Sequence, residues 1–483
     1  MSGSDFLATL PLLIVVGWAI VMLIVDLFVP RDRKQITALL SAAGMAAALV
    51  VVLIQLYDET QHAFGGMLVR DGFAGFMMII FIVAGLLGIA LANDYLKRRE
   101  IERGEYYILL LFTLGGMMLM AMAGDLIIVF LGLELLSLPL YVLSGFARPE
   151  PASEEGALKY FLLGAFATSF VVYGIAFVYG AAATTNLSDI FIAGYQGTAN
   201  QGLLLLGAAL LLVGLGFKIA VVPFHMWTPD VYQGAPSSVT AFMSVGAKAG
   251  GFAALLRVFL AAFPGLAASW APLVMWIAAF TMVWGNVAAI SQKNIKRMLA
   301  YSSIAHAGYI LMVLPAASSP GVGADALSAA LFYLLAYAVS NLGAWGVVIA
   351  LERKEAKGLL LEDYAGLGTR RPGFALAMLL FMLSLIGLPP TAGFMGKFYI
   401  FRAVIDADMI WLALVGVATS VISAYYYLRV VIVMYMQAGE PESRSEGWLN
   451  STVGFTALAT LLLGILPGPV LMAVRHALLG PGN

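Results

Sequence analysis

Five ionisable side chains stand deep inside apolar runs: Glu134 in "IIVFLGLELLSLPLYVL", Lys218 in "LLVGLGFKIAVVPF", Lys248 in "SVGAKAGGFAALL", His306 in "YSSIAHAGYIL" and Lys397 in "GFMGKFY". A charge in such surroundings is costly unless it is paired, hydrated or removed by proton exchange. One acid, several amines and one or two imidazoles spread along successive apolar segments suit a chain of proton carriers. A substrate pocket would gather its polar groups in one place. Lysine serves such a chain because desolvation favours its neutral amine and a nearby carboxylate favours its ammonium. Moving Glu134 toward or away from Lys218 would therefore make Lys218 take up or release a proton.

Depth separates carriers from side chains that merely reach water. Lys248 lies roughly twelve residues, or about 18 Å, from its helix start, and a lysine reaching about 6 Å cannot snorkel from there. Lys218 is as deep and Lys397 less so. Lys159 is expected within one turn of its helix start, where snorkelling and relay account for it equally well. Arg257, Arg402 and Arg429 lie near span ends and are expected to snorkel. His306 has Ser302, Ser303 and Tyr309 as polar neighbours, and an imidazole titrating near pH ~6.5 suits a relay. A histidine satisfied by a neighbouring hydroxyl fits as well. His225 can pair with Asp230 or satisfy carbonyls freed beside Pro223, so relay and structure stay open for both residues. No histidine pair or nearby carboxylate has metal-ligand spacing, and no glycine-rich phosphate loop is present.

The elements that must position these groups are membrane helices. Of 483 residues, 62% are hydrophobic and 11% charged, and apolar stretches of about twenty residues recur throughout. We expect an all-α polytopic membrane protein with about 14 transmembrane helices. It forms a single membrane domain over 1–483, with three N-terminal helices (1–100), a first unit (105–262), a second (270–436) and a C-terminal helix (448–476). The first apolar run lacks the basic start and cleavage site of a signal peptide and reads as a retained helix. A net charge of −1 gives no sign of nucleic-acid binding, and the absence of cysteine excludes disulfides, Fe–S ligation and cysteine zinc sites.

Alternate loops carry "PRDRK", "KRREIERGE", "ARPE", "SQKNIKR", "ERKEAKG", "GTRRP" and "ESRSE", while the other set holds little besides Arg70, Arg402 and Arg475. The basic set should face the cytoplasm, leaving both termini periplasmic. Two spans are too long for one straight crossing and are interrupted by proline, at Pro223 and at Pro389 and Pro390. Proline cannot donate to the helix ladder, so carbonyls are freed that lipid cannot satisfy. The breaks occupy related places in a weak internal repeat, since "ALKYFLLGA" (157–165) resembles "ALFYLLAYA" (330–338). Five spans separate the two units, so their topologies are inverted. Inverted repeats with discontinuous helices are a transporter signature.

The segments "GLELLSLPLYVL", "GFKIAVVPFHMWTPDVYQGAP", "KRMLAYSSIAHAGY" and "LSLIGLPPTAGFMGKF" resemble the antiporter-like membrane subunits of proton-pumping NADH:quinone oxidoreductase, respiratory complex I, from about residue 105 to 435. The lysine at 397 and the lack of a long lateral C-terminal helix imply the N branch of that family, not the M or L branch. The resemblance implies two inverted five-helix repeats with a half-channel at each broken helix. It casts Glu134 as the acid of the fifth span, Lys218 as its partner, Lys248 as the connecting lysine, Lys397 as the terminal lysine, and His306 and Lys159 as relay positions. It further implies a bacterial inner-membrane location and no cofactor on this chain, with FMN, Fe–S clusters, NADH and quinone on partner subunits. Its partners would be the neighbouring antiporter-like subunit, the small membrane subunits linking to the quinone site, and the bilayer.

The expected function is proton translocation coupled to NADH oxidation and quinone reduction elsewhere in the complex. A subunit of a multisubunit cation/proton antiporter is the alternative. A scaffold without an ion path would not carry five deep ionisable residues, each costing about 2.5–3.5 kcal/mol or more to insert.

Overall fold

Runs of leucine, valine and alanine close their backbone hydrogen bonds locally, which in hydrocarbon leaves the helix as the available form. A computed structural model of the chain describes residues 3–353 and 357–477. In order these are α1 (Gly3–Ala8), α2 (Leu10–Phe28), α3 (Gln35–Gln55), a hairpin of β1 (Gln61–Ala63) and β2 (Leu68–Arg70), α4 (Gly72–Arg98), α5 (Glu105–Met122), α6 (Leu126–Ser144) and α7 (Pro151–Ala182). Then come α8 (Leu187–Tyr195), α9 (Gln201–Ile219), α10 (Trp227–Gly234), α11 (Ser237–Ala261), α12 (Ala267–Ile290), α13 (Ile295–Leu311) and α14 (Val313–Ala317). The chain continues through α15 (Gly323–Leu351), α16 (Leu367–Arg370), α17 (Pro372–Ile386), α18 (Ala392–Asp406), α19 (Ile410–Met436), α20 (Gly447–Ile465) and α21 (Gly468–His476).

Among the described residues, 13 helices are long and apolar enough to cross a membrane, and α17 is a shorter apolar one. The long spans expected to be discontinuous are split, α9 from α10 and α17 from α18. The C-terminal helix expected over 448–476 is also split: α20 stops at Ile465, because Pro467 lacks an amide hydrogen and disfavours helical geometry at Leu466. Short α21 follows, and its end closes on the start of α4, with the His476 ring edge-on to Tyr57.

The centre of the molecule is α11, whose residues from Ser237 to Phe259 are all buried among α4, α5, α9 and α15. Close approach of α9 needs Gly251: a Cβ there would meet Ile219 Cγ2 at 2.7 Å and the Lys218 stem at 3.4 Å. The helices carrying Lys218 and Lys248 therefore touch at a glycine. By contrast α2, α3, α7 and α20 present exposed leucine, isoleucine and phenylalanine on their outer sides, as lipid-facing or subunit-facing helices do.

The loops rich in basic residues share one face, where they are cross-linked by Arg98–Glu446 (2.9 Å), Arg353–Glu442 (2.9 Å), Arg99–Glu150 and Arg370–Glu440. Of the arginines expected to snorkel, Arg257 does not, while half-buried Arg429 reaches the chain at the basic face. Arg429 donates to the Ile290 and Gln292 carbonyls at 3.0 and 2.5 Å. Arg257 binds both carboxylate oxygens of Asp71 at 2.5 and 2.8 Å and the Ala121 carbonyl at 2.7 Å. Asp71 supplies a fixed anion from the opposite-face loop, so Arg257 gains more by staying buried than by reaching water. Arg402 remains largely exposed beside Asp406.

Removing one partner of a buried pair strands the other. Arg257→Met is therefore expected to cost about 3–5 kcal/mol, read from thermal unfolding followed by tryptophan fluorescence. Arg257→Met combined with Asp71→Asn should recover much of that loss, and equal loss in both variants would refute the pairing energetics.

Candidate functional site

The two helix breaks close in the same way. Ala220 ends α9 with φ 61° and Gly387 ends α17 with φ 91°; the next residue reaches back in each case, Val221 N to Gly216 O at 3.1 Å and Leu388 N to Leu383 O at 3.0 Å. Left-handed geometry is free for glycine and strained for alanine. Pro223, Pro389 and Pro390 lie in the connections and prevent the helices from resuming at once. α9 runs inward from the opposite face and α17 inward from the basic face, so the two half-helices point at the membrane centre from opposite sides.

Backbone groups released at the breaks are answered by side chains. Thr281 of α12 accepts from Val222 N at 3.0 Å, and Trp227 Nε1 donates to Phe217 O at 3.0 Å. Lys397 Nζ donates to Leu385 O at 3.1 Å and Ile386 O at 2.8 Å, the last carbonyls of α17, and to Ser420 Oγ at 2.8 Å. Lys397 thus bridges α17 to α19 from its position on α18. It is 4% exposed, and Lys218, Lys248 and His306 are comparably buried, so none of them snorkels.

Around the first break, Lys218 Nζ donates to Ser137 Oγ of α6 at 2.8 Å and to Tyr160 OH of α7 at 3.0 Å. Its ammonium also lies 5.2 Å from the Tyr160 ring centre. Ser137 follows Glu134 by one helical turn. Glu134 itself is half-buried and accepts from Thr168 Oγ1 at 2.8 Å. Acid and amine therefore stand on either side of Ser137, and among the described residues no ion pair within 4.0 Å joins them in this conformation.

Lys248 Nζ donates to the Ser303 carbonyl of α13 at 2.5 Å. From Ser303 one turn along α13 leads to His306, whose Nδ1 meets Tyr333 OH at 2.6 Å and whose Nε2 meets Tyr427 OH at 3.1 Å. One turn further is Tyr309, with the Lys397 ammonium 4.5 Å from its ring centre. Tyr309 OH bonds Thr419 and Asn286, both at 3.2 Å. α13 thus carries a ladder of contacts from Lys248 to Lys397, and with the Gly251 contact the groups form one line from Glu134 to Lys397.

Lys159 departs from expectation, and of the two arrangements open to His225 the structure shows the second. Lys159 is more than two turns into α7, which begins at Pro151, and binds Asp230 Oδ2 and Glu155 Oε1, each at 2.8 Å. Asp230 is held between Lys159 and Arg297 (2.7 Å), so His225 does not pair with it. The His225 ring instead lies by the Pro223 carbonyl and edge-on to Trp284. The sequence singled out none of Ser137, Tyr160, Thr168, Tyr333, Tyr427 or Ser420 as functional. The usable signal was weak: Ser137 falls one turn from Glu134, and Tyr160 adjoins Lys159.

A sequence profile for the NADH:quinone oxidoreductase/Mrp antiporter transmembrane family matches residues 123–423. NADH-quinone oxidoreductase subunit N of Chloroflexus aggregans is 48% identical over 480 residues, covering 98% of this chain and 97% of that one. A chain of respiratory complex I from Thermus thermophilus is 36% identical, with TM-score 0.83 over 96% of this chain and 99% of that one. A chain of the Mrp complex from a Dietzia species, 22% identical with TM-score 0.86 over 99% of this chain and 97% of that one, shares the fold.

A lysine held by a single carbonyl is an energetic burden. Lys248→Met is expected to leave thermal unfolding unchanged or to stabilise by about 1–4 kcal/mol, in contrast to Arg257→Met. A loss as large as that of the arginine variant would make Lys248 a structural cation.

Proposed function

Since the chain belongs to the NADH:quinone oxidoreductase/Mrp antiporter transmembrane family, we propose that its buried line of Glu134, Lys218, Lys248, His306 and Lys397 passes protons along the membrane centre. The protein is a membrane-arm subunit of a proton-translocating NADH:quinone oxidoreductase. NADH oxidation and quinone reduction belong to partner subunits, as do FMN and the Fe–S clusters; this chain has no cysteine to ligate iron. The observation that carries the reading is the succession of contacts: Lys218 bonds Ser137, one turn from Glu134, its helix meets that of Lys248 at Gly251, and Lys248 bonds the Ser303 carbonyl, one turn from His306.

In this reading spans four to eight and nine to thirteen are inverted repeats, with the matching closure of the two breaks as support. Approach of the Glu134 charge draws a proton onto Lys218, whose amine is otherwise held only by the neutral hydroxyls of Ser137 and Tyr160. Withdrawal of that charge sends the proton on toward Lys248, across the Gly251 contact. The Ser303–His306–Tyr309 side of α13 then conveys it to Lys397 beside the second break. Lys159, with Asp230, would stand at the basic-face approach to Lys218.

Glu134 lies next to exposed Leu131, Leu138 and Val142 on α6, and we assign that face to a neighbouring membrane subunit, whose movement would shift the carboxylate. The neighbouring antiporter-like subunit and the small subunits leading to the quinone site are the further partners. We place the basic face in the bacterial cytoplasm and the termini in the periplasm, in accord with the distribution of Lys and Arg.

The test is NADH-driven proton uptake by vesicles bearing the assembled complex. Lys248→Arg and Lys248→Ala should both lose most pumping while NADH oxidation by an artificial acceptor stays normal, because a guanidinium does not deprotonate in a protein. An arginine variant pumping at the wild-type rate would make Lys248 a fixed charge. Glu134→Gln should be similarly impaired and Glu134→Asp milder, and wild-type pumping by the glutamine variant would sink the switch. Topology is checked separately: reporters fused after Arg99 and Arg371 should read cytoplasmic and one near Asn200 periplasmic, and the reverse pattern would invert the assignment.

A further inference from the structure

Between the basic face and Lys248 runs a set of buried polar groups that the line of carriers does not use. Glu352 caps the end of α15 and is 3% exposed. Its Oε1 accepts from Tyr95 OH at 3.1 Å and faces Arg99 Nη1 at 3.8 Å, while its Oε2 is buried without a partner. Arg99 also binds the half-exposed Glu150 at the surface. Tyr95 OH accepts from Ser237 N at 3.1 Å, where α11 begins, and Ser237 Oγ has no partner. Beside this point Lys296, 2% exposed, donates one hydrogen bond, to Ala235 O at 2.7 Å.

Two turns deeper on α13, about 10 Å along the axis, the hydroxyls of Tyr232 and Tyr337 converge on Ser303, and none of the three has a hydrogen-bond partner of good geometry. The carbonyl of that same Ser303 holds Lys248. A buried polar atom left unpaired costs about 1–3 kcal/mol, and such atoms are ordinarily satisfied by ordered water. Unpaired oxygens of Glu352, Ser237, Tyr232 and Ser303 succeed one another from the basic face to the central lysine. Bridging water is the ordinary partner of such atoms, and the series begins where the start of α11 meets the end of α15.

We propose that Glu352 is a proton-intake carboxylate for Lys248, feeding it from the basic face through water held by Ser237, Tyr232 and Ser303. This rests on the reading of Lys248 as a carrier. A proton taken up at Glu352 Oε2 passes along the water to the neutral amine of Lys248; the carboxylate is left anionic, the amine becomes ammonium, and no electron moves. Lys296 flanks this file of water as a positioning cation.

The experiment is proton uptake by vesicles bearing the assembled complex, driven by NADH, for Glu352→Gln, Glu352→Ala and Glu352→Asp. Loss of a positioned proton-transfer group should slow pumping roughly tenfold or more in the glutamine and alanine variants, with aspartate retaining most activity. Added formate, a small carboxylic acid able to enter the vacated space, should restore pumping to the alanine variant; a purely structural glutamate would not be rescued. Wild-type pumping by Glu352→Gln, or a loss that neither formate nor aspartate relieves, would overturn the proposal. If the Glu352 variants do not assemble, Tyr232→Phe with Ser303→Ala decides: slowed pumping supports the file and wild-type pumping removes it. Lys248→Ala in the same vesicles separates the two levels. If that variant pumps normally the carrier reading falls, whereas if it is inactive while Glu352→Gln is normal, only the intake site falls.

Discussion

Hydrocarbon cannot answer a charge or an open backbone carbonyl, and in this protein the two needs are met together. Each helix break releases carbonyls, and each break has a buried lysine within reach of hydroxyls or of those carbonyls themselves. Lys397 is the direct case, since its ammonium closes the last turn of α17 while standing on α18. Take away the break and the amine loses its acceptors; take away the amine and the break loses its donor. The remaining architecture serves this exchange: an inner set of α11, α13 and α15 excludes lipid, and an outer set of more exposed helices surrounds it.

Cost is also why much of the candidate site was legible in the sequence. Glu134, Lys218, Lys248, His306 and Lys397 stood out because depth in an apolar run can be counted along the chain, and the prolines marked both interruptions. What could not be read was the company these groups keep. Ser137 and Tyr160 hold Lys218, yet a lone serine or tyrosine in a membrane helix is ordinary, since hydroxyls satisfy themselves on the preceding turn, as Ser137 also does on Leu133 O at 2.6 Å.

Long-range pairing was likewise hidden. Arg257 looked like a snorkelling residue because Asp71 is 186 positions away, and only the folded chain brings that anion to it. Lys159 was misplaced for a local reason: the polar stretch "PASEEG" reads as a loop but forms the first turns of α7, with proline at the first helical position, where its missing amide hydrogen costs nothing. His225 and Asp230 are neighbours in sequence, but the two cations of Lys159 and Arg297 outcompete a histidine for the carboxylate.

The opposed directions of α9 and α17 have one more outcome. Aligned peptide dipoles leave roughly half a negative charge at the C-terminal end of a helix, and here two such ends lie within the protein, one at each break and each beside a lysine. This potential is written into the backbone and does not depend on any acidic side chain. A mutational scan of carboxylates would leave it untouched, and it would vanish only if a break were mended into continuous helix. On the proposed path the main chain would act as a permanent counter-ion for a travelling cation, placed at both breaks by the course of the chain alone.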